Sequence, residues 1–276
     1  MSMIFSCGKY KLDLTHPKVM GIVNVTPDSF SDGGKYESTE KAVEHALQLV
    51  AEGADLLDIG GESTRPGSTP VSLDEELQRV VPVIEVLSKV AGVPLSIDTY
   101  KPEVMRAAIA AGADIVNDVR ALQEPGAMEV VVQSNAGLCL MHMQGTPKTM
   151  QENPQYTDVV AEVTAFLRER LASAKASGIA AERIVLDPGF GFGKRSVHNL
   201  ALLQELHNIA DLGRPLLVGL SRKSVLGQII GGDVYVRLHA SLAASVISAM
   251  KGAKIIRVHD VKATADALKV VTAVLN

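Results

Sequence analysis

Aromatic residues, cysteines and net positive charge are all scarce in this sequence. Only 4% of its 276 residues are aromatic and none is tryptophan, so aliphatic side chains have to fill the interior. Two cysteines, Cys7 and Cys139, supply neither a paired metal motif nor a disulfide framework. The formal net charge of −4 excludes the basic footprint of a nucleic-acid-binding domain. We therefore expect no nucleic-acid partner.

Long hydrophobic runs are also missing. No stretch approaches the roughly 18 uninterrupted apolar residues of a transmembrane helix, so we expect no membrane partner. The N-terminal residues lack a basic segment followed by an apolar core, so we expect no secretory signal peptide and a cytoplasmic location. Hydrophobic residues still make up 47% of the chain, which is ample for a large core. Since an α/β barrel commonly takes about 250 residues, we expect one domain over residues 1–276.

Eight short apolar segments alternate with helical patterns along the chain. Strands that are buried on both faces have this continuous apolar character, and their alternation with helices indicates parallel β/α units. Eight such units predict the α/β fold class and a closed (β/α)8 TIM barrel. Residues 3–14 alternate loosely, which predicts an N-terminal β-hairpin at the bottom of the barrel. The predicted strands end near the polar residues Asn24, Asp58, Asp98, Asn117, His142, Asp187, Ser221 and Arg257.

Helical patterns occupy the segments between the strands, and three of them have recognisable starts. Ser72 and Glu75 have the spacing of a capping box. Pro102 stands where a first helical residue is expected, and Asp260 is placed to cap the last helix. The patterns cover residues 38–52, 72–90, 101–111, 125–134, 157–177, 198–208, 237–251 and 261–275.

Four residues at or after strand ends have complementary hydrogen-bonding abilities. Chemistry in a (β/α)8 barrel is located at the C-terminal strand ends, so these side chains should surround one pocket floor. A carboxylate accepts two adjacent N–H bonds, an amide donates and accepts, and an ammonium donates to a carbonyl or ring nitrogen. The set suits a flat heterocycle with a guanidine-like edge, although each member alone also fits a structural cap or a salt bridge. The four residues are Asp98, Asn117, Asp187 and Lys223.

A second, cationic group lies at the end of the last strand. Arg257 and His259 are two residues apart, so their side chains should face the same side. Barrels of this kind often bind phosphate near their last strands, and arginine can hold a phosphate through two hydrogen bonds. Asn24, at the end of the first strand, offers an oxygen to a cation such as Mg²⁺. A salt bridge to a carboxylate is the alternative explanation for Arg257.

Two connections after strands, residues 26–37 and 60–71, are longer than the usual length of about 2–6 residues. Long loops at the catalytic face often close over a substrate, so we expect both to cover the site. The sequence GFGFGK at 189–194 has neither the Walker nor the Rossmann spacing. His142 has no cluster of further metal ligands nearby in the sequence, which favours a role in the core. Ser221 is not part of an obvious catalytic triad.

Eight motifs in one order resemble the dihydropteroate synthase family, which binds pterins. Together they span nearly the whole chain. Two positions in or next to the motifs differ from the family's usual residues: Tyr100, where a small residue is usual, and Ala240, where glycine is usual. The motifs are MGIVNVTPDSFSDGG (20–34), DIGGESTRPG (58–67), SIDTYKPEV (96–104), NDVRAL (117–122), LMHMQGTPKTMQ (140–151), LDPGFGFGK (186–194), GLSRKS (219–224) and IIRVHDV (255–261).

The resemblance implies a transferase of folate biosynthesis. Its substrates would be 6-hydroxymethyl-7,8-dihydropterin diphosphate and p-aminobenzoate, and its products 7,8-dihydropteroate and pyrophosphate. It also implies an SN1-like order of events, in which the diphosphate leaves before the aryl amine attacks. Sulfonamide inhibitors, Mg²⁺ held at Asn24 and a homodimer are further implications.

The same resemblance assigns roles to individual residues. The pterin would be bound by Asp98, Asn117, Asp187 and Lys223, and the diphosphate by Asn24, Arg257 and His259. The catalytic residues would be Asp32, Arg65, Lys223, Arg257 and His259. The p-aminobenzoate pocket would consist of Phe30, Thr64, Arg65, Pro66, Phe192, Lys223 and Ser224.

Three other functions remain open at this point. A pterin-binding methyltransferase that uses methyltetrahydrofolate has a similar barrel and similar floor carboxylates, but it does not need the FSDGG loop or the cationic end. Schiff-base chemistry at Lys223 is a second alternative. A noncatalytic pterin-binding module is the third, and it would not need the diphosphate residues.

Overall fold

The computed structural model describes residues 3–25, 35–63, 67–146 and 148–275, without side-chain detail at residues 35–37 and 235. Within them no helix is both long and apolar enough to cross a membrane. The strands are β1 (Ile4–Cys7), β2 (Tyr10–Asp13), β3 (Lys18–Asn24), β4 (Leu56–Gly60), β5 (Leu95–Asp98), β6 (Ile115–Asp118), β7 (Gly137–Met141), β8 (Ile184–Asp187), β9 (Leu216–Val218) and β10 (Ala253–Val258). The α-helices are α1 (Lys35–Ala51), α2 (Leu73–Val90), α3 (Pro102–Ala111), α4 (Ala127–Val132), α5 (Val159–Ala176), α6 (Ser196–Gln204), α7 (Leu206–Ala210), α8 (Ser224–Ile230), α9 (Leu238–Met250) and α10 (Val261–Leu275).

Eight parallel strands close into a barrel in the order β10-β3-β4-β5-β6-β7-β8-β9. Each strand pairs with its sequence neighbour, and β10 closes the circle by pairing with β3. Helices cover the outside, so the strands are buried on both faces; all five residues of β4 are buried. The predicted (β/α)8 barrel is confirmed.

The predicted N-terminal hairpin is also confirmed, as β1 and β2 pair antiparallel. Phe5, Cys7 and Leu14 pack in one cluster with the first inward residues of the barrel strands. At Gly137, a Cβ would lie 2.6 Å from the Phe5 ring, so only glycine allows the hairpin to approach this closely. The hairpin therefore closes the N-terminal end of the barrel. The strand residues in the cluster are Met20, Leu56, Ile115, Cys139, Val185, Leu217 and Ile255.

All three predicted helix starts lie where the structure begins a helix. The Ser72 hydroxyl accepts from the Glu75 amide at 3.3 Å, and Pro102 is the first residue of α3. Asp260 immediately precedes α10, its carbonyl accepts from the Thr264 amide at 3.1 Å, and its carboxylate accepts two hydrogen bonds from Arg222. Arginine forms a bidentate pair with this carboxylate and so competes with the helix amides for it.

The helix predictions differ from the structure in two places. The single helix predicted over 198–208 is divided into α6 and α7 at Glu205, which has non-helical backbone angles. The short helix α8 follows the seventh barrel strand and was not predicted. That strand is shorter than expected and ends at Val218, so Ser221 lies beyond it in a turn.

Candidate active site

The polar residues of the barrel mouth face inward because of the two-residue repeat of a strand. Leu56, Ile115, Val185 and Ile255 belong to the apolar cluster at the bottom of the barrel. Side chains two positions apart point to the same face. The residues two positions further along the same strands therefore point into the interior at its C-terminal end; they are Asp58, Asn117, Asp187 and Arg257.

Arg257 lies at the centre of this polar layer and joins two carboxylates from other strands. Its Nε lies 2.5 Å from Asp58 Oδ2, and its Nη2 lies 2.9 Å from Asp98 Oδ2. The Asn117 amide donates to the same Asp58 oxygen at 3.1 Å. Asp58 is fully buried, and its charge is tolerated because two donors reach it. The residue sits mid-strand, two positions before the end of β4, rather than at the strand end that the sequence suggested.

Several buried oxygens in this layer have no hydrogen-bond partner among the residues that the structure describes. Leaving a buried acceptor unpaired costs about 1–3 kcal/mol, so a cluster of them indicates a site that a ligand completes. Three are the side-chain oxygens of Asp58, Asp98 and Asn117, which accept hydrogen bonds when the two carboxylates are ionised. The atoms are Asp58 Oδ1, Asp98 Oδ1, Asn117 Oδ1 and Ser96 Oγ.

The charges of this layer shift one another's protonation. Burial raises the pKa of Asp98 to about 7, with Arg257 opposing and Asp58 reinforcing the rise. Burial also raises the pKa of Asp187, against the opposing charge of Lys223. For Arg257, burial lowers the pKa, but Asp58 and Asp98 outweigh it and the pKa rises. The arginine is therefore the permanent cation of the floor.

Lys223 reaches the floor from the turn between β9 and α8. Its Nζ donates to the Phe190 carbonyl and lies 4.5 Å from the centroid of the Phe192 ring. Burial lowers the pKa of Lys223 to about 8, with Asp187 opposing and Arg257 adding to the fall. This ammonium is thus poised to lose its proton more readily than an ordinary lysine.

Ser221 links the end of β9 to the residue after β10. Its Oγ lies 3.0 Å from Nδ1 of His259 and accepts the His259 amide at 3.2 Å. The imidazole is therefore held beside the same mouth as Lys223 and Arg257. Sequence reasoning found no partner for Ser221, because His259 lies 38 positions further along the chain.

The loop after β8 is held by a buried lysine that sequence reasoning missed. Lys194 is only 3% exposed, and its Nζ lies 2.9 Å from both His142 Nδ1 and the Gly189 carbonyl and 3.1 Å from the Phe192 carbonyl. Burial and the Lys194 charge lower the pKa of His142 to about 3, so this imidazole is neutral. The core role expected for His142 fits this contact.

The remaining predicted site residues divide into two groups. Asn24 ends β3 and stands in one row across four strands with Gly60, Asp98 and Asn117. Ser224 is exposed as the first residue of α8. The second group lies outside the described residues and comprises Phe30, Asp32, Thr64, Arg65 and Pro66.

Magnesium would find one suitable donor among the predicted ligands. In the part of the chain that the structure describes, no three His, Cys, Asp or Glu side chains form a metal cluster. Asn24 is at the mouth and offers one amide oxygen. Mg²⁺ usually keeps several waters and takes few protein ligands together with phosphate oxygens. The residues therefore fit a cation that arrives with a diphosphate and do not fit a cage made by the protein alone.

Comparison with known proteins identifies the family to which this chain belongs. The family described as pterin binding enzyme matches residues 20–259. The dihydropteroate synthase of Escherichia coli (strain K12) is 54% identical over 265 residues, which cover 96% of this chain and 94% of that protein.

Two solved structures are similar over their full length. One is the Xanthomonas albilineans dihydropteroate synthase with 4-aminobenzoic acid, 52% identical with a TM-score of 0.94, covering 100% of this chain and 99% of that chain. Another is the Yersinia pestis dihydropteroate synthase in complex with a sulfonamide drug, 49% identical with a TM-score of 0.94 and 99% of both chains covered. The chain therefore belongs to the pterin-binding enzyme family, among its dihydropteroate synthases.

Proposed function

We propose that this chain joins 6-hydroxymethyl-7,8-dihydropterin diphosphate to p-aminobenzoate, giving 7,8-dihydropteroate and pyrophosphate. The observation that carries this proposal is a set of buried oxygens on Asp58, Asp98 and Asn117, beside two cations, that have no hydrogen-bond partner among the described residues. A pterin ring supplies N–H donors to such a floor and offers its carbonyl and ring nitrogens to a lysine. The relatives named above favour this condensation over methyl transfer from methyltetrahydrofolate.

The pterin is assigned to Asp98, Asn117, Asp187 and Lys223. Asp187 accepts hydrogen bonds from the 2-amino group and from N3–H of the pterin, and Lys223 donates hydrogen bonds to its O4 and N5. Asp98 and Asn117 complete the ring contacts with the oxygens that have no other described partner. Asp58 belongs to the same floor, because it holds both Asn117 and Arg257 in position. A site built from buried acceptors rejects analogues that lack the matching N–H groups.

The diphosphate is assigned to Asn24, Arg257 and His259. Arg257 already contacts Asp58 and Asp98, so it stands between the pterin floor and the anion and binds both. Mg²⁺, when bound, neutralises charge on the departing pyrophosphate, and Asn24 would be its protein ligand. A fixed guanidinium and imidazole stabilise the same charge without having to reorganise during the reaction.

The bond to the diphosphate oxygen breaks first in this mechanism. The electron-rich dihydropterin spreads the resulting positive charge over its ring, and the carboxylates of Asp187 and Asp98 favour that charge. The aryl amine then attacks the exocyclic carbon and loses a proton. Asp32 and Arg65 are proposed as further catalytic residues that stabilise and shield the cation. Alignment of the two substrates contributes up to roughly 7–11 kcal/mol in such reactions.

The p-aminobenzoate pocket is assigned to Phe192, Lys223 and Ser224 together with Phe30, Thr64, Arg65 and Pro66. The Phe192 ring covers the Lys223 ammonium at 4.5 Å, and a flat aryl amine can stack on such a ring. Ser224 is exposed beside it and can donate to a carboxylate. Sulfonamides would occupy the same pocket, as an aryl amine of similar shape.

A homodimer is proposed from the outer helices. Exposed apolar residues recur on two neighbouring helices, Ile247 and Met250 on α9 and Val270 and Val274 on α10. Apolar patches of this kind usually mark an interface. Light scattering that gives the mass of a single chain at micromolar concentration would contradict this assignment. A cytoplasmic location is proposed as well.

The decisive experiment follows labelled p-aminobenzoate into dihydropteroate while pyrophosphate is measured in the same sample. We expect one pyrophosphate per dihydropteroate, a requirement for Mg²⁺, and almost no turnover by Lys223→Ala. Lys254→Ala is the matched control, because Lys254 contacts Thr15 at the opposite end of the barrel. Product formation without pyrophosphate release, or equal turnover by both variants, would contradict the proposal.

A further inference from the structure

Three consecutive residues in the turn after β9 reach three separate partners. Ser221 bonds His259, and Arg222 bonds Asp260 through Nε at 3.0 Å and Nη2 at 2.6 Å. Lys223 turns inward to the Phe190 carbonyl. One short turn thus touches both the cationic end of the mouth and its floor.

The backbone of this turn is strained at its arginine. The Lys223 amide donates to the Leu220 carbonyl at 3.2 Å, which closes a four-residue turn. Arg222 is the third residue and has φ of 59°, a left-handed conformation that favours glycine at this place. Among the described residues only Ala121, Leu122 and Arg222 are non-glycine residues with positive φ. Strain of this kind persists only where the surroundings impose it.

The backbone of Arg222, like its guanidinium, is engaged by elements on the far side of the turn. Its amide donates to Ser241 Oγ at 2.9 Å, and its carbonyl accepts from Arg237 Nη1 at 3.0 Å. Arg237 fits because Gly227 has no side chain; a Cβ there would lie 2.6 Å from Arg237 Nε. Residues of α8, α9 and the segment after β10 therefore hold one strained residue.

We propose that Arg222 and Asp260 are positioning residues, which hold the end of β9 against the end of β10 so that Lys223 and His259 act on one bound substrate. The proposal deepens the proposed function and rests on it. A glycine would adopt the turn more easily, but it would lose the bidentate contact to Asp260. The arginine therefore adopts an unfavourable backbone conformation, and its ion pair with Asp260 fixes the distance between the two strand ends.

The consequence for Lys223 is measurable. Its ammonium faces Asp187 at the end of β8, Asp98 on β5, Arg257 on β10 and, further off, Lys194. Burial, opposed by Asp187, lowers the pKa of Lys223 to about 8. When the turn is released, the ammonium gains water, and this pKa should move up towards 10.5, the value it has in the absence of burial. Simple destabilisation elsewhere would leave it unchanged.

The test compares Arg222→Gly, Asp260→Asn and Lys262→Ala. Arg222→Gly relieves the strain and removes the ion pair. Asp260→Asn keeps the backbone and the shape of the side chain. Lys262→Ala is the control, because it breaks an exposed ion pair with Asp266 on the same helix, α10. Each is assayed for kcat/KM of the pterin diphosphate against pH, for KM of p-aminobenzoate and for melting temperature.

We expect both Arg222→Gly and Asp260→Asn to lose about tenfold in kcat/KM for the pterin diphosphate, as residues of one network do. Their alkaline limb should move up from about 8, while Lys262→Ala matches the wild type. A lower melting temperature with unchanged kcat/KM and pH profile overturns the proposal. If Arg222→Gly does not fold, Asp260→Asn alone decides. Absence of turnover in the wild type would instead refute the proposed function.

Discussion

The two ends of the barrel are built on the same strands but differ in every chemical respect. At the N-terminal end, Phe5 and Cys7 of the hairpin pack in one cluster with apolar strand residues. At the C-terminal end, two residues further along, the same faces carry Asp58, Asn117 and Arg257, and several buried oxygens there have no partner in the part of the chain that the structure describes. Two residues of a strand span about 7 Å. The change from a packed apolar core to a polar layer thus occurs within one layer of side chains.

This difference separates stability from binding within a single sheet. Apolar burial at the bottom contributes to the free energy of unfolding without any ligand. Unpaired buried acceptors at the mouth reduce that free energy until a ligand supplies donors. Substitutions at the two ends should therefore affect different measurements.

The largest effect is expected at the mouth. Asp187→Ala removes both acceptor oxygens assigned to the pterin edge and leaves the apolar cluster untouched. We expect pterin affinity to fall on the order of 10⁴-fold, since the donors of the ring lose their partners. Calorimetry with the pterin diphosphate, beside a thermal melt, checks this. Retained pterin binding with a normal melting profile would show that Asp187 does not bind the pterin ring.

A smaller effect, of the opposite kind, is expected at the bottom. Phe5→Ala empties a fully buried site between the hairpin and Gly137. Such truncations cost about 3–5 kcal/mol of unfolding free energy, whereas pterin affinity should stay within a factor of about two, the scatter for distant sites. Denaturant unfolding and calorimetry on the same preparation test both halves. Equal losses of unfolding free energy and of pterin binding free energy would show that the two ends of the barrel do not have separate roles.

The smallest effect is expected in the pH dependence of the free energy of unfolding, to which a carboxyl of the mouth contributes. Burial raises the pKa of Asp98 from 3.8 to about 7, although Arg257 opposes the rise. The folded chain then holds this proton more tightly than the unfolded chain. The stabilising contribution is fully present below 3.8 and is lost as pH rises through about 7.

Asp98→Asn abolishes that pH dependence and can still accept from Arg257. At pH 8 we expect the variant to be more stable by on the order of 1 kcal/mol and to bind the pterin more weakly. Unfolding curves at pH 4 and pH 8 measure the change. If the variant is less stable than the wild type at pH 8, the ionised Asp98 does not lower the free energy of unfolding, and this prediction is wrong.

The architecture could be predicted because it depends on local patterns. Runs of buried aliphatic residues alternate with helical periodicity eight times, and strand-end polar residues such as Asn117 and Asp187 stand out against them. The hairpin followed from the loose alternation of residues 3–14. Both features need only the neighbouring residues to be recognised.

The contacts of the site could not be predicted, because they join residues far apart in sequence. Asp58 and Arg257 are separated by 199 positions, and no local pattern relates them. A charged residue inside the apolar run LLDIG was the available signal for Asp58, as a lysine after GFGFG was for Lys194. The left-handed backbone of Arg222 gave no signal, since arginine rarely adopts it.

The loop between β8 and α6 has a consequence for inhibitor design. Each carbonyl from Gly189 to Gly193 accepts a hydrogen bond from a side chain of Lys194, Lys223, Gln151 or Tyr156. The wall beside Phe192 cannot retreat without breaking several of these bonds together. Bulky aryl substituents of an inhibitor will therefore have to extend towards solvent. A substitution of Gln151 or Tyr156 removes one of these hydrogen bonds and would let the loop move to accommodate such substituents.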